Sequence, residues 1–248
     1  MKYFPALLLG ALSLFVAQAQ EPSDQESDAY ANQMLAMFDA GMLALETQQY
    51  DVAYDNFMET CSVGIGTACL NVGIMYSTGI HVEQNEATAG QYYLKACNGT
   101  GPDGNVVQQE DIGCHNVAVG YYQGSYGFEM NEDVSAQYFL QACDLGNSDS
   151  CYSIGSILRE TLLADVLPDE EQGPVLETML TFFDKSCRLG NADACHQMVL
   201  DLGFFADSVE SATARGTYVA LTCEANAQFG SNVPEAWIGA NCPPVSAE

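Results

Sequence analysis

Positive charge is almost missing from this chain. Of its 248 residues, 6 are Lys or Arg and 33 are Asp or Glu, a formal net charge of −27. Such a surface repels nucleic acid and anionic membranes. It fits either a soluble surface suited to a salty exterior or a basic partner. Histidine is scarce as well: His81, His115 and His196 are the only three, too dispersed for the cluster of a zinc hydrolase. No Cys-x-x-Cys occurs, so the usual spacing of zinc sites and redox dithiols is absent. There is no Gly-x-Ser-x-Gly, and neither Lys95 nor Lys185 has a serine three residues before it, which excludes Ser-x-x-Lys. No catalytic residue, metal or cofactor is therefore expected. Strict apolar–polar alternation is missing throughout, which argues against a β-sheet.

The first residues are the exception to the lack of long apolar runs. Lys2 gives a positive start, Phe4 to Val16 is apolar, and Ala17-Gln-Ala19 reads as a cleavage site. This predicts a secretory signal peptide over 1–19, because the run is too short to span a bilayer. No cysteine follows closely, so no lipoprotein anchor is expected. Residues 20–28 are polar and acidic and read as a flexible leader. No later stretch is long and apolar enough to insert in a membrane. The expected compartment is the periplasm or the exterior, where ten cysteines can pair as disulfides.

What the chain does have is a recurring cysteine phrase. Cys61 to Cys69, Cys143 to Cys151 and Cys187 to Cys195 each read Cys-x-x-Gly-x-x-x-(Ala/Ser)-Cys. An aromatic stands four residues before the first cysteine of each unit: Phe57, Tyr93, Phe139 and Phe183. On a helix that spacing puts ring and sulfur on one face. Four residues after the second cysteine stand Gly73, Ala118, Gly155 and Val199, slim enough for helices to approach. Seven after it come Tyr76, Tyr121, Leu158 and Leu202. From Tyr30 the apolar residues Met34, Leu35, Phe38 and Met42 also follow helical spacing. Cys61 and Cys97 lie 36 positions apart, as do Cys187 and Cys223. The longer intervals between them shrink to about the same length once two insertions are removed. These are Asn98–Asp111, rich in Gly, Pro and Asp, and the stretch around Pro168 to Pro174; both read as loops. The unit is two helices and a turn.

Ala68-Cys-Leu-Asn-Val-Gly-Ile-Met-Tyr76, Gly79 and Ala89-Gly-Gln-Tyr-Tyr-Leu-Lys-Ala96 resemble the Sel-1-like repeat, a tetratricopeptide-like family. The cysteine in each turn resembles its cysteine-rich secreted subgroup, typified by the Helicobacter cysteine-rich proteins. The resemblance implies an all-α, right-handed α-solenoid of helix–turn–helix repeats over 29–248, with a C-terminal capping segment. It implies a disulfide at each inter-repeat turn: Cys61–Cys69, Cys97–Cys114, Cys143–Cys151 and Cys187–Cys195, with Cys223 and Cys242 left over as a fifth pair. The cysteines then act as staples for repeats that lean only on their neighbours.

It also implies function. The expectation is an exported, monomeric scaffold or adaptor that binds a protein or extended peptide in the groove lined by the first helices. By tetratricopeptide positions, Leu70, His115, Tyr152 and His196 should line that groove. Ile74, Val119, Ser156 and Leu200 follow further along, and Tyr122 and Arg159 lie near the helix ends. The competing reading is that these residues pack between repeats. His115 and His196 both follow a cysteine, yet two repeats would hold them roughly 20 Å apart, too far to share a metal. Some cysteine-rich relatives are described as penicillin-binding proteins with β-lactamase activity; a hydrolase is thus the alternative, and a host- or surface-interaction factor a third. Asn98-Gly-Thr100 is a glycosylation sequon, meaningful in a eukaryote only.

Overall fold

The computed structural model describes residues 24–164, 166–205, 209–229 and 232–242. The expected signal peptide lies outside them. The described residues form helices α1 (Asp24–Glu46), α2 (Tyr50–Ser62), α3 (Gly66–Thr78), α4 (Glu86–Asn98), α5 (Asp111–Gln123), α6 (Glu132–Asp144), α7 (Ser148–Leu163), α8 (Asp169–Arg188), α9 (Ala192–Phe205), α10 (Val209–Phe229) and α11 (Glu235–Asn241). Each helix packs chiefly on the helices before and after it in sequence. The fold is thus an array of antiparallel pairs, with the odd-numbered helices opening each pair and the short α11 closing the array. α1 begins at Asp24, so residues 24–28 of the expected leader are helical.

A ring-on-glycine contact holds the first, second and fourth pairs together. A Cβ on Gly41, Gly73 or Gly155 would meet the ring of Phe57, Tyr93 or Phe183 at 2.9, 2.7 and 2.7 Å. In the third pair Ala118 and Phe139 share one core cluster. All four rings are buried. Truncating one to Ala would cost about 3–5 kcal/mol. In the fifth pair the corresponding positions hold Val199 and Val219.

Four disulfides share one geometry. Cys61–Cys69, Cys97–Cys114, Cys143–Cys151 and Cys187–Cys195 each join the last turn of an even helix to the first turn of the next odd one. Cys223–Cys242 differs, tying the interior of α10 to the end of α11. In the chain-entropy account, a closed loop of this size contributes about 3 kcal/mol.

A second fastening runs beside the sulfurs. Asn147 caps α7, its Oδ1 accepting from Ser150 N–H at 2.8 Å, while its Nδ2 donates to Asp111 of α5 at 3.0 Å. Asn191 does the same for α9: Oδ1 accepts from Ala194 N–H and Nδ2 donates to Asp149 of α7, both at 2.8 Å. Asn232 continues the ladder to Asp193 of α9. Between α3 and α5 the clasp is Thr67 Oγ1 donating to Glu110 Oε2 at 2.8 Å. One side chain thus satisfies an orphan helix N–H and links two repeats.

The two insertions behave differently. Residues 99–110 leave the helices and fold back over the first disulfide turn, pairing Thr100 with Val106 and Ile65 with Gln108. The stretch from Pro168 to Pro174 is not the expected loop. Pro168 caps α8, and Pro174 lies inside that helix. Three acidic residues in the first turn, Asp169, Glu170 and Glu171, favour a helix N-terminus there. Proline loses one hydrogen bond at that position, and the extra length lies in α7 and α8 instead.

Candidate functional site

The expected wall residues separate into two groups. Leu70 belongs to the core at 5% exposure and is not a wall residue. His115 Nδ1 shares a 2.8 Å hydrogen bond with Ser150 Oγ of α7, and its ring meets Phe139 edge-on. Burial lowers its pKa, opposed by Asp149 and Asp111. His196 packs edge-on against Trp237, ring centroids 4.6 Å apart, and its Nε2 is buried without a hydrogen-bond partner. Burial lowers its pKa too, against Asp193. All three make contacts between helices, Leu70 buried and the two histidines half-buried. Arg159 is also engaged, donating from Nε to Asp201 of α9 at 2.9 Å.

The His115–Ser150 contact bears on the hydrolase alternative. Ser150 is fully buried in the third position of α7, where no substrate carbonyl could reach Oγ. The pair is a fastening rather than a nucleophile and its base. Every described cysteine is disulfide-bonded, so none offers a thiolate.

Tyr122 and Tyr152 are brought together. They line one cavity of about 260 Å³ with Val119, Phe139, Ser156, Ile157 and Glu160. A second of about 250 Å³ adjoins it, sharing Tyr122, Ile157 and Glu160 and adding Glu132, Ala136 and Thr161. Together they make a slot with α5 and α7 as walls and α6 as floor. Its origin is visible in the packing. α5 and α7 are fastened at their N-terminal ends by His115–Ser150 and Asp111–Asn147. Beyond those fastenings they hardly touch. Tyr122 stands at the open end, 46% exposed.

The sequence reading missed Ile157, Glu160 and Glu132. A signal for the first two was present. Tyr152, Ser153, Ser156, Ile157 and Glu160 follow the i, i+4, i+8 ridge of α7. Glu132 sits at the start of α6, one helix earlier, and only the tertiary fold brings it near.

Residues 66–100 and 112–147 match the Sel1 repeat, segments that coincide with the α3–α4 and α5–α6 pairs. The chain is similar to solved structures that include two of this kind. One is a Sel1 repeat protein from Oxalobacter formigenes, with 17% identity over 75% of this chain and 70% of that one, TM-score 0.59. The other is a protective antigen present in uropathogenic Escherichia coli strains, displaying an SLR fold, with 23% identity over 81% of this chain and 43% of that one, TM-score 0.56. This chain therefore spans less than half of the antigen's length. At these identities the likeness is one of fold. No curated protein matches the chain.

Proposed function

We propose that this chain, which carries Sel1 repeats, is an exported adaptor that binds a protein or extended peptide in the slot between α5 and α7. Sel1 repeats generally mediate protein–protein interaction. Five disulfides favour an oxidising compartment outside the cytoplasm. No described helix is long and apolar enough to cross a membrane. The observation that carries the reading is the slot itself. It is concave, mostly apolar, and has a large exposed aromatic at its mouth, the side-chain type most enriched at binding surfaces. The hydrolase alternative has no residue constellation to support it.

A photo-crosslinking side chain at Tyr122, compared with one at exposed Gln91 on α4, tests the reading in the native compartment. The expected result is a discrete adduct from position 122 and none from position 91. Equal labelling from both positions, or no adduct from 122, sinks the slot assignment.

A further inference from the structure

The chemistry of the slot points to what occupies it; this step rests on the slot being the binding surface. Glu160 lines both cavities and Glu132 the second, and both side chains are exposed. Of the Lys and Arg residues whose side chains are described, Arg159 pairs with Asp201, Lys185 with Asp144 and Arg188 with Asp184, while the Lys95 ammonium lies 4.9 Å from the centre of the Tyr92 ring. Among the described side chains, neither Glu132 nor Glu160 has a salt bridge.

The rest of the lining is largely apolar, with Val119 of α5, Phe139 of the α6 floor, and Tyr152 and Ile157 of α7, and Tyr122 lies beside them. An acidic rim above an apolar pocket, with a phenol ring next to both, recognises a cation that neighbours an apolar side chain. A guanidinium or ammonium gains from the carboxylates and from the ring face. A neutral or acidic segment would cover the two carboxylates without pairing them, a desolvation penalty that discriminates against it. The net charge of −27 attracts a basic partner over long range and repels a second copy of this chain.

We propose that the α5–α7 slot takes an extended segment of a basic protein. An aliphatic or aromatic side chain enters the pocket of Val119, Phe139, Tyr152 and Ile157, and an adjacent Lys or Arg lies against Glu160 and Glu132 beside the Tyr122 ring.

Titrating the oxidised full chain into a fluorescein-labelled peptide of alternating arginine and leucine, at physiological ionic strength, tests this by anisotropy. The expected result is binding that weakens at least about tenfold when glutamine replaces arginine, and similarly when glycine replaces leucine. The double variant Glu132→Gln/Glu160→Gln should weaken the arginine–leucine peptide about tenfold and leave the glutamine–leucine peptide unchanged. Glu59→Gln/Glu83→Gln removes the same charge from exposed positions outside the slot and should change binding less than about twofold. Unaltered thermal midpoints would establish that both variants are folded. Absence of binding by the arginine–leucine peptide overturns the proposal, as does equal weakening by the two double variants, which would assign the effect to the charge of the whole surface. If both leucine peptides bind alike and Tyr122→Ala weakens both, the slot stands as a binding surface and its basic occupant falls.

Discussion

Two successive steps along the array, from α3 to α5 and from α5 to α7, are built from the same parts and end differently. Both are stapled by a disulfide and clasped at the N-terminal ends of the odd helices. α3 and α5 then stay in contact, whereas α5 and α7 part to form the slot. The side chain eight residues after the second cysteine differs between the steps. In α3 it is Ser77, small and holding the Tyr93 hydroxyl at 3.0 Å. In α5 it is Tyr122, which lines the slot together with Tyr152 of α7. In α7 it is Arg159, which spans the next step as an ion pair with Asp201 of α9. A constant staple thus fixes one end of each of these steps, and the residue at the other end changes from step to step.

The largest effect should come from breaking the ion pair that Arg159 makes across the step from α7 to α9. Asp201 is 1% exposed, and its Oδ1 accepts from both Arg159 and Gln197. Arg159→Met leaves that carboxylate buried with a single neutral donor. It should cost about 3 kcal/mol in urea unfolding of the oxidised protein. Adding Asp201→Leu should restore much of the loss, because the buried charge is gone. If the single variant costs less than about 0.5 kcal/mol, the pair behaves as a surface bridge, and Arg159 does not fasten α7 to α9.

A smaller effect separates the two ends of the open step. Asn147→Ala removes both the cap of α7 and the link to Asp111, at about 1–2 kcal/mol. Asn191→Ala removes the matching pair of bonds at the next step and should cost the same. Only the first should alter the slot, read as a change in the fluorescence of a reporter placed at Gln123. If both variants disturb the reporter equally, the clasps act on the array as a whole.

Much of this architecture could be read from residue spacing, and the part that could not has a physical cause. The aromatic four before each cysteine and the slim residue four after the next one are local patterns, and they meet as ring on glycine. The expected groove column follows one ridge, yet its members lie at different depths. Leu70 and Ile74 share one face of α3, a turn apart, yet Leu70 is buried and Ile74 is 39% exposed. Leu70 follows the disulfide-bonded Cys69 and lies in the core cluster of the first pairs, whereas Ile74 lies outside it. Spacing within one helix carries direction but not the distance to the next helix. The Asn147 cap was equally local, whereas its bond to Asp111 spans 36 positions and follows only from the stacking. The Pro168–Pro174 stretch misled because proline and glycine marked a break that acidic first-turn residues and packing on α7 overrode.

The smallest effect is one of pH, and it comes from the fastened end of the open step. Burial holds the His115 pKa below its usual 6.5, although Asp149 and Asp111 pull the other way. The folded chain therefore binds this proton less readily than the unfolded chain does. Its contribution to stability is complete above about pH 6.5 and is lost as the pH falls through that value toward the lower folded one. His196 is shifted the same way by its own burial. The urea midpoint of the oxidised protein should fall between pH 7 and 5, roughly the range over which an unperturbed histidine titrates. His115→Asn, whose amide can still bond Ser150 and does not titrate, should flatten that fall while changing stability at pH 7 by less than about 1 kcal/mol. A slope unchanged by the substitution would mean that the proton is taken up elsewhere. A steeper slope would mean that the histidine is charged in the folded state and holds Asp111 and Asp149 together, making the fastened end an electrostatic clamp rather than a neutral hydrogen bond.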